Sequence, residues 1–230
     1  MHALDNPVWQ SLTTQHANLA LTAGPAARYP AAIAPFAAVD ADSGRAANQL
    51  TSLVGDGEAV FLVGVAPEAP PGWVLEPKKP IVQMVCSVEP QAMPGPVAMP
   101  MTAGQVKDML ALTDLVFPGF FRPRTLDMGD YLGIYDGRRL AAMAGERMRL
   151  DGYQEMSAVC THPAYTGRGY AQYLLTLLCR RAFDRGLTPF LHVYADNTRA
   201  IGVYRRIGFT DRTLLPLWLL HKADENQHDG

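Results

Sequence analysis

The chain has 230 residues, 48% of them hydrophobic, and its 20 Lys and Arg residues nearly balance 22 Asp and Glu residues. This length supports one large domain or two small ones, and the charge balance does not indicate a nucleic-acid-binding surface. Cys86, Cys160 and Cys179 show neither metal-ligand spacing nor a disulfide framework, which predicts a cytoplasmic protein without a bound metal. Because no apolar stretch reaches ~18 residues and the first 28 do not resemble a signal peptide, no contact with a membrane is expected.

The N-terminal part predicts a small α/β unit that carries no chemical motif. Its first forty residues, rich in Ala and Pro, show no clear pattern. The predicted elements that follow are a helix over residues 46–54 and strands over 59–65 and 81–88. Prolines between 90 and 100 predict a linker. We therefore predict an N-terminal unit over residues 1–95, which is either a degenerate half-copy of the next fold or a substrate-side domain.

The rest of the chain alternates strand and helix patterns. The predicted elements are a helix over 102–117, strands over 132–135, 140–150 and 155–161, a helix over 170–185, a strand over 190–194, a helix over 197–208 and a strand over 209–220. Asp136-Gly137 and Asp151-Gly152 are turn signals that predict hairpins. This order predicts a mixed α/β domain over residues 96–223, followed by a polar tail over residues 224–230.

A strand-loop-helix segment over residues 158–171 is typical of a phosphate site. An apolar run ends at Pro163, Gly167 and Gly169 follow, and a helical pattern begins at Tyr170. Glycine lets a backbone approach a ligand closely, and a helix start offers unpaired amides at the positive end of a dipole. The segment therefore predicts a site for phosphate or pyrophosphate. A Rossmann dinucleotide site is not indicated, because Gln172 does not complete the Gly-x-Gly-x-x-Gly pattern.

A second motif lies downstream of this segment, and the two motifs are interpreted together. Thr166, Gly169 and Ala171 fall on the pattern Gln/Arg-x-x-Gly-x-Gly/Ala, and the next helix carries Asn-x-x-Ala-x-x-x-Tyr-x-x-x-Gly-Phe. The residues that match this second pattern are Asn197, Ala200, Tyr204, Gly208 and Phe209. Together the motifs resemble the GNAT superfamily of acetyl-CoA-dependent N-acetyltransferases. Thr166 departs from the family pattern, which removes one side-chain contact and leaves the backbone amides.

The resemblance implies a fold, a co-substrate and a set of contact residues. The fold is a mostly antiparallel sheet, splayed where acetyl-CoA enters and flanked by helices. The residues implied in binding acetyl-CoA are Val159, Cys160, Thr161, Thr166, Gly167, Arg168, Gly169, Tyr170, Ala171, Gln172, Asn197 and Tyr204. Arg168 is either a phosphate ligand or an exposed surface residue, and Asn197 is a helix N-cap whether or not it also lies near the cofactor.

Tyr204 and Glu155 are the main candidates for catalysis. The resemblance implies that Tyr204 protonates or hydrogen-bonds the departing CoA thiolate, whereas a core residue of an amphipathic helix is the alternative. Glu155 is the candidate base that deprotonates the amine, and Glu146 is a second candidate. A solvated strand-edge glutamate is the alternative for each. Cys160 is either inert core or the nucleophile of a thioester route, and His162 and His192 are expected to be structural.

The resemblance therefore implies an N-acetyltransferase whose acceptor is a primary amine of a small molecule or amino acid, with direct attack in a ternary complex. The alternative is a catalytically weak CoA-binding regulator or scaffold with the same fold. The sequence leaves the acceptor and the oligomeric state open, a homodimer included.

Overall fold

The computed structural model describes residues 2–40 and 44–223. The described residues divide into two compact units, one comprising residues 2–30, 35–40, 44–81 and 215–223 and the other comprising residues 31–34 and 82–214. The division into residues 1–95 and 96–223 stays a prediction, and the predicted polar tail, 224–230, lies outside the described residues. No helix in the described part of the chain is long and apolar enough to cross a membrane.

The first unit contains the predicted helix over 46–54 and the predicted strand over 59–65, together with short elements that the sequence pattern did not indicate. Its elements in order are α1 (Pro7–Thr13), β1 (Leu21–Ala23), β2 (Ala26–Arg28), β3 (Ala37–Val39), α2 (Gly44–Ser52) and β4 (Ala59–Val63). The strands β1, β2 and β3 form an antiparallel sheet. Leu50 of α2 and Leu62 of β4 are fully buried in one hydrophobic cluster with Val39. Three-residue strands are too short to show an alternating pattern, so the first forty residues gave no prediction.

The remaining elements confirm most of the predicted order. They are β5 (Trp73–Cys86), β6 (Met99–Pro100), α3 (Val106–Val116), β7 (Tyr131–Asp136), β8 (Arg139–Leu150), β9 (Tyr153–Thr161), α4 (Tyr170–Asp184), β10 (Thr188–Tyr194), α5 (Thr198–Ile207) and β11 (Phe209–Lys222). The predicted strand over 81–88 is in fact the end of the longer strand β5. Pro77 and Pro80 lie within β5, and these prolines made its first half resemble a loop.

The second unit is built on a mixed sheet. Its strand order is β11-β5-β10-β9-β8-β7-β6, with the pairs from β6 to β9 antiparallel and the pair of β9 with β10 parallel. In the first unit, the C-terminal half of β11 pairs antiparallel with β4, Leu217 opposite Val63. The mixed, mostly antiparallel α/β architecture confirms the predicted fold class.

The helices of the second unit cover both faces of its sheet. Successive side chains of a strand point to opposite faces, and Ala142 and Ala144 of β8 pack in a cluster with α4 and α5. Met143, between them, packs in the cluster that contains Met109 and Leu112 of α3. The sheet therefore lies between α3 on one side and α4 with α5 on the other.

The strands β9 and β10 part before either ends. Their ladder joins Tyr153–Glu155 to residues 188–190, with Phe190 opposite Glu155. Beyond this pair β9 continues to Thr161 and β10 continues to Tyr194. The backbone groups that line the gap between these two ends are therefore not used by a β9–β10 ladder.

Two β-bulges shift the register of the β8–β9 hairpin. Arg149 opposes Gln154 and Glu146 opposes Met156, so β8 carries one extra residue between these pairs. The second bulge has the opposite sense, because β9 carries one extra residue between Ser157 and Cys160. Ala158, in the second bulge, is the one described non-glycine residue with a positive φ, 51°. Bulges of this kind re-aim side chains and backbone groups and are frequent beside active sites.

Candidate active site

The glycine loop has the backbone conformation that its sequence requires. Gly167 and Gly169 have φ values of 82° and 76°, in the left-handed region that side chains disfavour. A Cβ atom at either position would meet nothing within 4 Å, so the space in front of the loop is open. Gly169 is the N-cap residue of α4 and has no side chain to bond the first-turn amides. Those amides are therefore available to an anion.

The segment before the loop is fixed by local hydrogen bonds. The Ala164 amide donates to Nδ1 of His162 at 3.2 Å, and the Thr166 hydroxyl donates to the Pro163 carbonyl at 3.0 Å. The exposed Arg168 guanidinium stacks over the Tyr165 ring, 4.8 Å from its centroid. Arg168 remains available at the loop surface, whereas the Thr166 hydroxyl already has a partner within the chain.

The open edge of β9 carries the residues predicted to lie along the cofactor arm. Val159 packs on the face of α4 and α5, and Cys160 is buried on the face of α3. Burial raises the pKa of the Cys160 thiol to about 12. Because the thiolate is the nucleophilic form, this environment disfavours the thioester alternative at Cys160. The backbone of β9, rather than this side chain, is what the site offers to a ligand.

Tyr204 lies on α5, a helix capped by Asn197 at its N-terminus and by Gly208 at its C-terminus. The Asn197 side chain accepts a hydrogen bond from the Ala200 amide at 3.1 Å, which confirms the N-cap prediction. Tyr204 is 9% exposed, and its ring centroid is 6.2 Å from that of Phe209. Burial, with a smaller electrostatic contribution from Cys160, raises the pKa of Tyr204 to about 12. The hydroxyl therefore stays protonated at neutral pH.

Glu155 is fully buried where β9 and β10 part, so it is not a solvated edge residue. The Arg147 guanidinium donates to both carboxylate oxygens, at 2.8 and 2.7 Å, and the Met148 amide donates at 3.3 Å. Burial alone would raise the pKa of Glu155, but Arg147 and His192 outweigh burial and lower it to about 2. A carboxylate with so low a pKa is a weak base. Its role as the proton acceptor stays a prediction.

A polar network extends from Glu155 across neighbouring strands. Nδ1 of His192 lies 2.8 Å from Glu155, and Nε2 of His192 lies 3.0 Å from the Gln83 amide nitrogen. Arg212 donates to the Gln83 carbonyl oxygen at 2.8 Å, so the amide nitrogen of Gln83 must face and donate to His192. His192 therefore carries its proton on Nδ1 and donates it to Glu155. The network joins β8, β9, β10, β5 and β11.

Glu146, the second candidate base, is also held by a cation. It is 2% exposed, and the Arg185 guanidinium at the end of α4 donates to its carboxylate. Asp130 lies 3.7 Å from the same arginine. In the described ranges, 2–40 and 44–223, no three His, Cys, Asp or Glu side chains come together as a metal site.

The Glu155 network predicts a specific loss of stability in acid. The folded-state pKa, about 2, lies below the ordinary value of 4.5, so the bound carboxylate contributes stability above pH 4.5 that is lost as the pH falls towards 2. The shift corresponds to roughly 3 kcal/mol at neutral pH. Urea unfolding of the wild type and Glu155→Gln should show a difference that shrinks over this window. Glu76→Gln, at an exposed carboxylate, should show no such change, and a constant difference for Glu155→Gln would contradict the prediction.

Comparisons with known proteins agree with this geometry. Residues 131–218 match the model of the FR47-like protein family. A solved protein from Novosphingobium aromaticivorans, assigned to the GNAT family of acetyltransferases, is 36% identical with a TM-score of 0.89, covering 97% of this chain and 100% of the other. A GCN5-related N-acetyltransferase from Kribbella flavida shares the fold at 16% identity, with a TM-score of 0.61 over 96% and 98% of the two chains.

A curated relative extends the comparison to one part of the chain. The mycothiol acetyltransferase of Corynebacterium efficiens is 33% identical over 82 residues, which is 35% of this chain and only 28% of that protein. The full-length match to the Novosphingobium protein covers both units, and the fold, the glycine loop and the splayed strands are consistent with it. The chain belongs to the GNAT family of acetyltransferases.

Proposed function

We propose that the protein transfers an acetyl group from acetyl-CoA to the primary amine of a small molecule or amino acid, by direct attack in a ternary complex. The observation that carries the proposal is the gap between β9 and β10 beyond Glu155, which leads to the glycine loop at the start of α4. A thioester arm bound in that gap would have its pyrophosphate at the helix N-terminus.

The residues present fit acetyl-CoA by backbone chemistry. The pantetheine arm contains amides, which can pair with the β9 backbone at Val159, Cys160 and Thr161 like an added strand. The amides from Gly167 to Gln172, including Tyr170 and Ala171, would bind the pyrophosphate. Arg168 adds a positive charge at the surface of this loop. Thr166 contributes through the backbone, because its hydroxyl is bonded to Pro163.

In the proposed reaction the amine nitrogen bonds to the acetyl carbon, the carbon–sulfur bond breaks, and the electron pair leaves on the CoA sulfur. Tyr204 stabilises that thiolate by donating a hydrogen bond. With a pKa of about 12 for Tyr204 and ~8.5 for an ordinary thiol, complete proton transfer to the sulfur would be uphill. The proton lost by the amine goes to water, because the Glu155 carboxylate is held in its ion pair with Arg147 and is a weak base.

A panel of primary amines tests the proposal. The purified protein would be mixed with acetyl-CoA and amino acids, polyamines, aminoglycosides or peptides, and free CoA thiol would be measured. Release of CoA that depends on one class of amine supports acetyl transfer. Calorimetric binding of acetyl-CoA without turnover on any amine would favour the regulator or scaffold alternative.

Gly169→Ala is expected to weaken acetyl-CoA binding tenfold or more. The left-handed φ of Gly169 strains an alanine by ~1–2 kcal/mol, and relief of that strain would turn the first-turn amides away from the pyrophosphate. Loss of one hydrogen bond to a charged group costs about 1.5–3 kcal/mol. Calorimetry with CoA measures the effect. Gly152→Ala, at a φ of 79° in the β8–β9 turn, is the matched control and should lower stability alone. Equal CoA affinities in both variants would contradict the prediction.

A further inference from the structure

Tyr131, the first residue of β7, has a buried hydroxyl without a partner. The residue is 2% exposed, and its hydroxyl oxygen makes no hydrogen bond to any described residue. An unsatisfied buried polar group typically costs ~1–3 kcal/mol, and most such groups in folded proteins are paired. A phenol kept in this state is therefore available to a group that enters the site.

The neighbouring strand, β8, has a glycine at the point where the Tyr131 ring crosses it. Tyr131 is opposite Gly145 on β8, and Gly145 is opposite Ser157 on β9. A Cβ atom at Gly145 would lie only 2.1 Å from Cδ1 of Tyr131, so the ring occupies the space of the missing side chain. Phe121 holds the ring edge-to-face at a centroid distance of 5.6 Å. Because adjacent strands are ~4.8 Å apart, a tyrosine that crosses β8 brings its hydroxyl towards β9.

Tyr131 is close enough to residues at the open edge of β9 to interact with them electrostatically. Burial raises the pKa of Tyr131 above its usual range, Arg147 acts against this rise, and Glu155, Glu146 and Cys160 add to it. Glu155 marks the point where β9 and β10 part, and Cys160 lies further along the open edge. Tyr204, in the cluster of α4 and α5, also interacts with Cys160. Two buried phenols thus approach this edge from opposite faces of the sheet.

We propose that Tyr131 binds the acetyl acceptor: its phenol oxygen accepts a hydrogen bond from an N–H of the attacking amine at the open edge of β9. The proposal rests on the proposed acetyl transfer. An N–H bound in this way leaves the nitrogen lone pair directed at the thioester. The hydrogen bond strengthens as the nitrogen becomes positively charged during attack, so it contributes to turnover as well as to binding. Tyr131 would then bind the attacking amine, and Tyr204 would donate a hydrogen bond to the leaving sulfur.

The test compares Tyr131→Phe with Tyr135→Phe. Tyr135 lies on the same strand, and its hydroxyl is bonded to Asp108 at 2.7 Å. Steady-state kinetics would use acetyl-CoA and the amine that gives the highest turnover in the panel. For Tyr131→Phe we expect kcat/KM for the amine to fall about tenfold or more, an unchanged dissociation constant for acetyl-CoA, and a Tm equal to or above that of the wild type. Tyr135→Phe should retain the kinetics of the wild type.

Each outcome separates the two proposals. Wild-type kinetics for Tyr131→Phe with an active wild type would overturn the role of Tyr131 and leave acetyl transfer standing. A lowered Tm together with unchanged kcat/KM would identify a structural hydroxyl instead and also overturn it. A wild type that transfers acetyl to none of the amines would refute the proposed function, and the inference about Tyr131 would fall with it.

Discussion

Replacement of Arg147 by methionine is expected to lower the free energy of unfolding by about 3–5 kcal/mol, the usual cost of leaving a buried charge without its partner. Glu155 is fully buried and receives two hydrogen bonds from Arg147, whose side chain is 13% exposed. Methionine preserves much of the apolar volume of arginine, so the loss would be electrostatic rather than a cavity effect. Urea unfolding at pH 7 provides the measurement.

The matched control for this substitution is Arg139→Met, an exposed arginine on the same strand. Its effect should stay within about 0.5 kcal/mol. The double variant Arg147→Met with Glu155→Gln removes the uncompensated charge and should be more stable than Arg147→Met alone. If Arg147→Met had the same free energy of unfolding as the control, or if adding Glu155→Gln restored none of the lost stability, the buried ion pair would not contribute the expected stability.

Tyr204→Phe is expected to lower kcat about 100-fold while the affinity for acetyl-CoA stays nearly unchanged. Phenylalanine keeps the ring packed near Phe209 and removes only the hydroxyl that would bond the departing thiolate. Loss of one donor to a developing negative charge typically costs 10²–10³-fold in turnover, and 100-fold corresponds to about 2.7 kcal/mol in the barrier. Steady-state kinetics with the best amine, combined with CoA calorimetry, would measure both quantities.

Tyr173→Phe on α4 serves as the control, since Tyr173 is half-buried and packs against the same core cluster. It should leave kcat close to that of the wild type. A normal kcat for Tyr204→Phe, with at most a small change in Tm, would assign Tyr204 to the core and make water the donor to the sulfur. The proposed binding of acetyl-CoA would be unaffected by that outcome, because the proposal assigns it to the glycine loop and the edge of β9.

The features of the site that could be predicted are those that depend on the local sequence. The positive φ angles at Gly167 and Gly169, the N-cap at Asn197 and the C-terminal Gly208 at φ 115° all follow from residue types at fixed spacing. Such features depend on one turn of chain, so a single sequence indicates them. The splay of β9 from β10 was expected from the family resemblance, and the described ladder shows it.

The network around Glu155 could not be predicted, because a bulge sets its register. A regular hairpin closed by Asp151-Gly152 would place Met148, and not Arg147, opposite Glu155. The extra residue on β8 makes both Arg147 and Met148 face Glu155, which gives the carboxylate a guanidinium and an amide at once. The rest of the network could not be predicted for another reason, because 109 residues separate Gln83 from His192 and 129 separate Gln83 from Arg212.

The unpaired hydroxyl of Tyr131 could not be predicted from the sequence pattern either. An aromatic residue at the start of a strand predicts core packing, and Tyr131 does pack in the core. Only the three-strand register with Gly145 and Ser157 shows that its ring crosses β8. Unlike the glycine loop, the proposed acceptor site would therefore be assembled from residues that lack a common motif.

The paired bulges of β8 and β9 make this hairpin unusually sensitive to changes in its length. Between Glu146 and Ser157 the two strands are offset by one residue, and the second bulge restores the original phase before Met143 meets Cys160. Deleting a residue at one bulge would invert which side chains face α3 over all the strand beyond it. Deleting one residue at each bulge would restore the phase at both ends, at the expense of the contacts of Glu155. Natural relatives and engineered variants should therefore gain or lose residues here in compensating pairs.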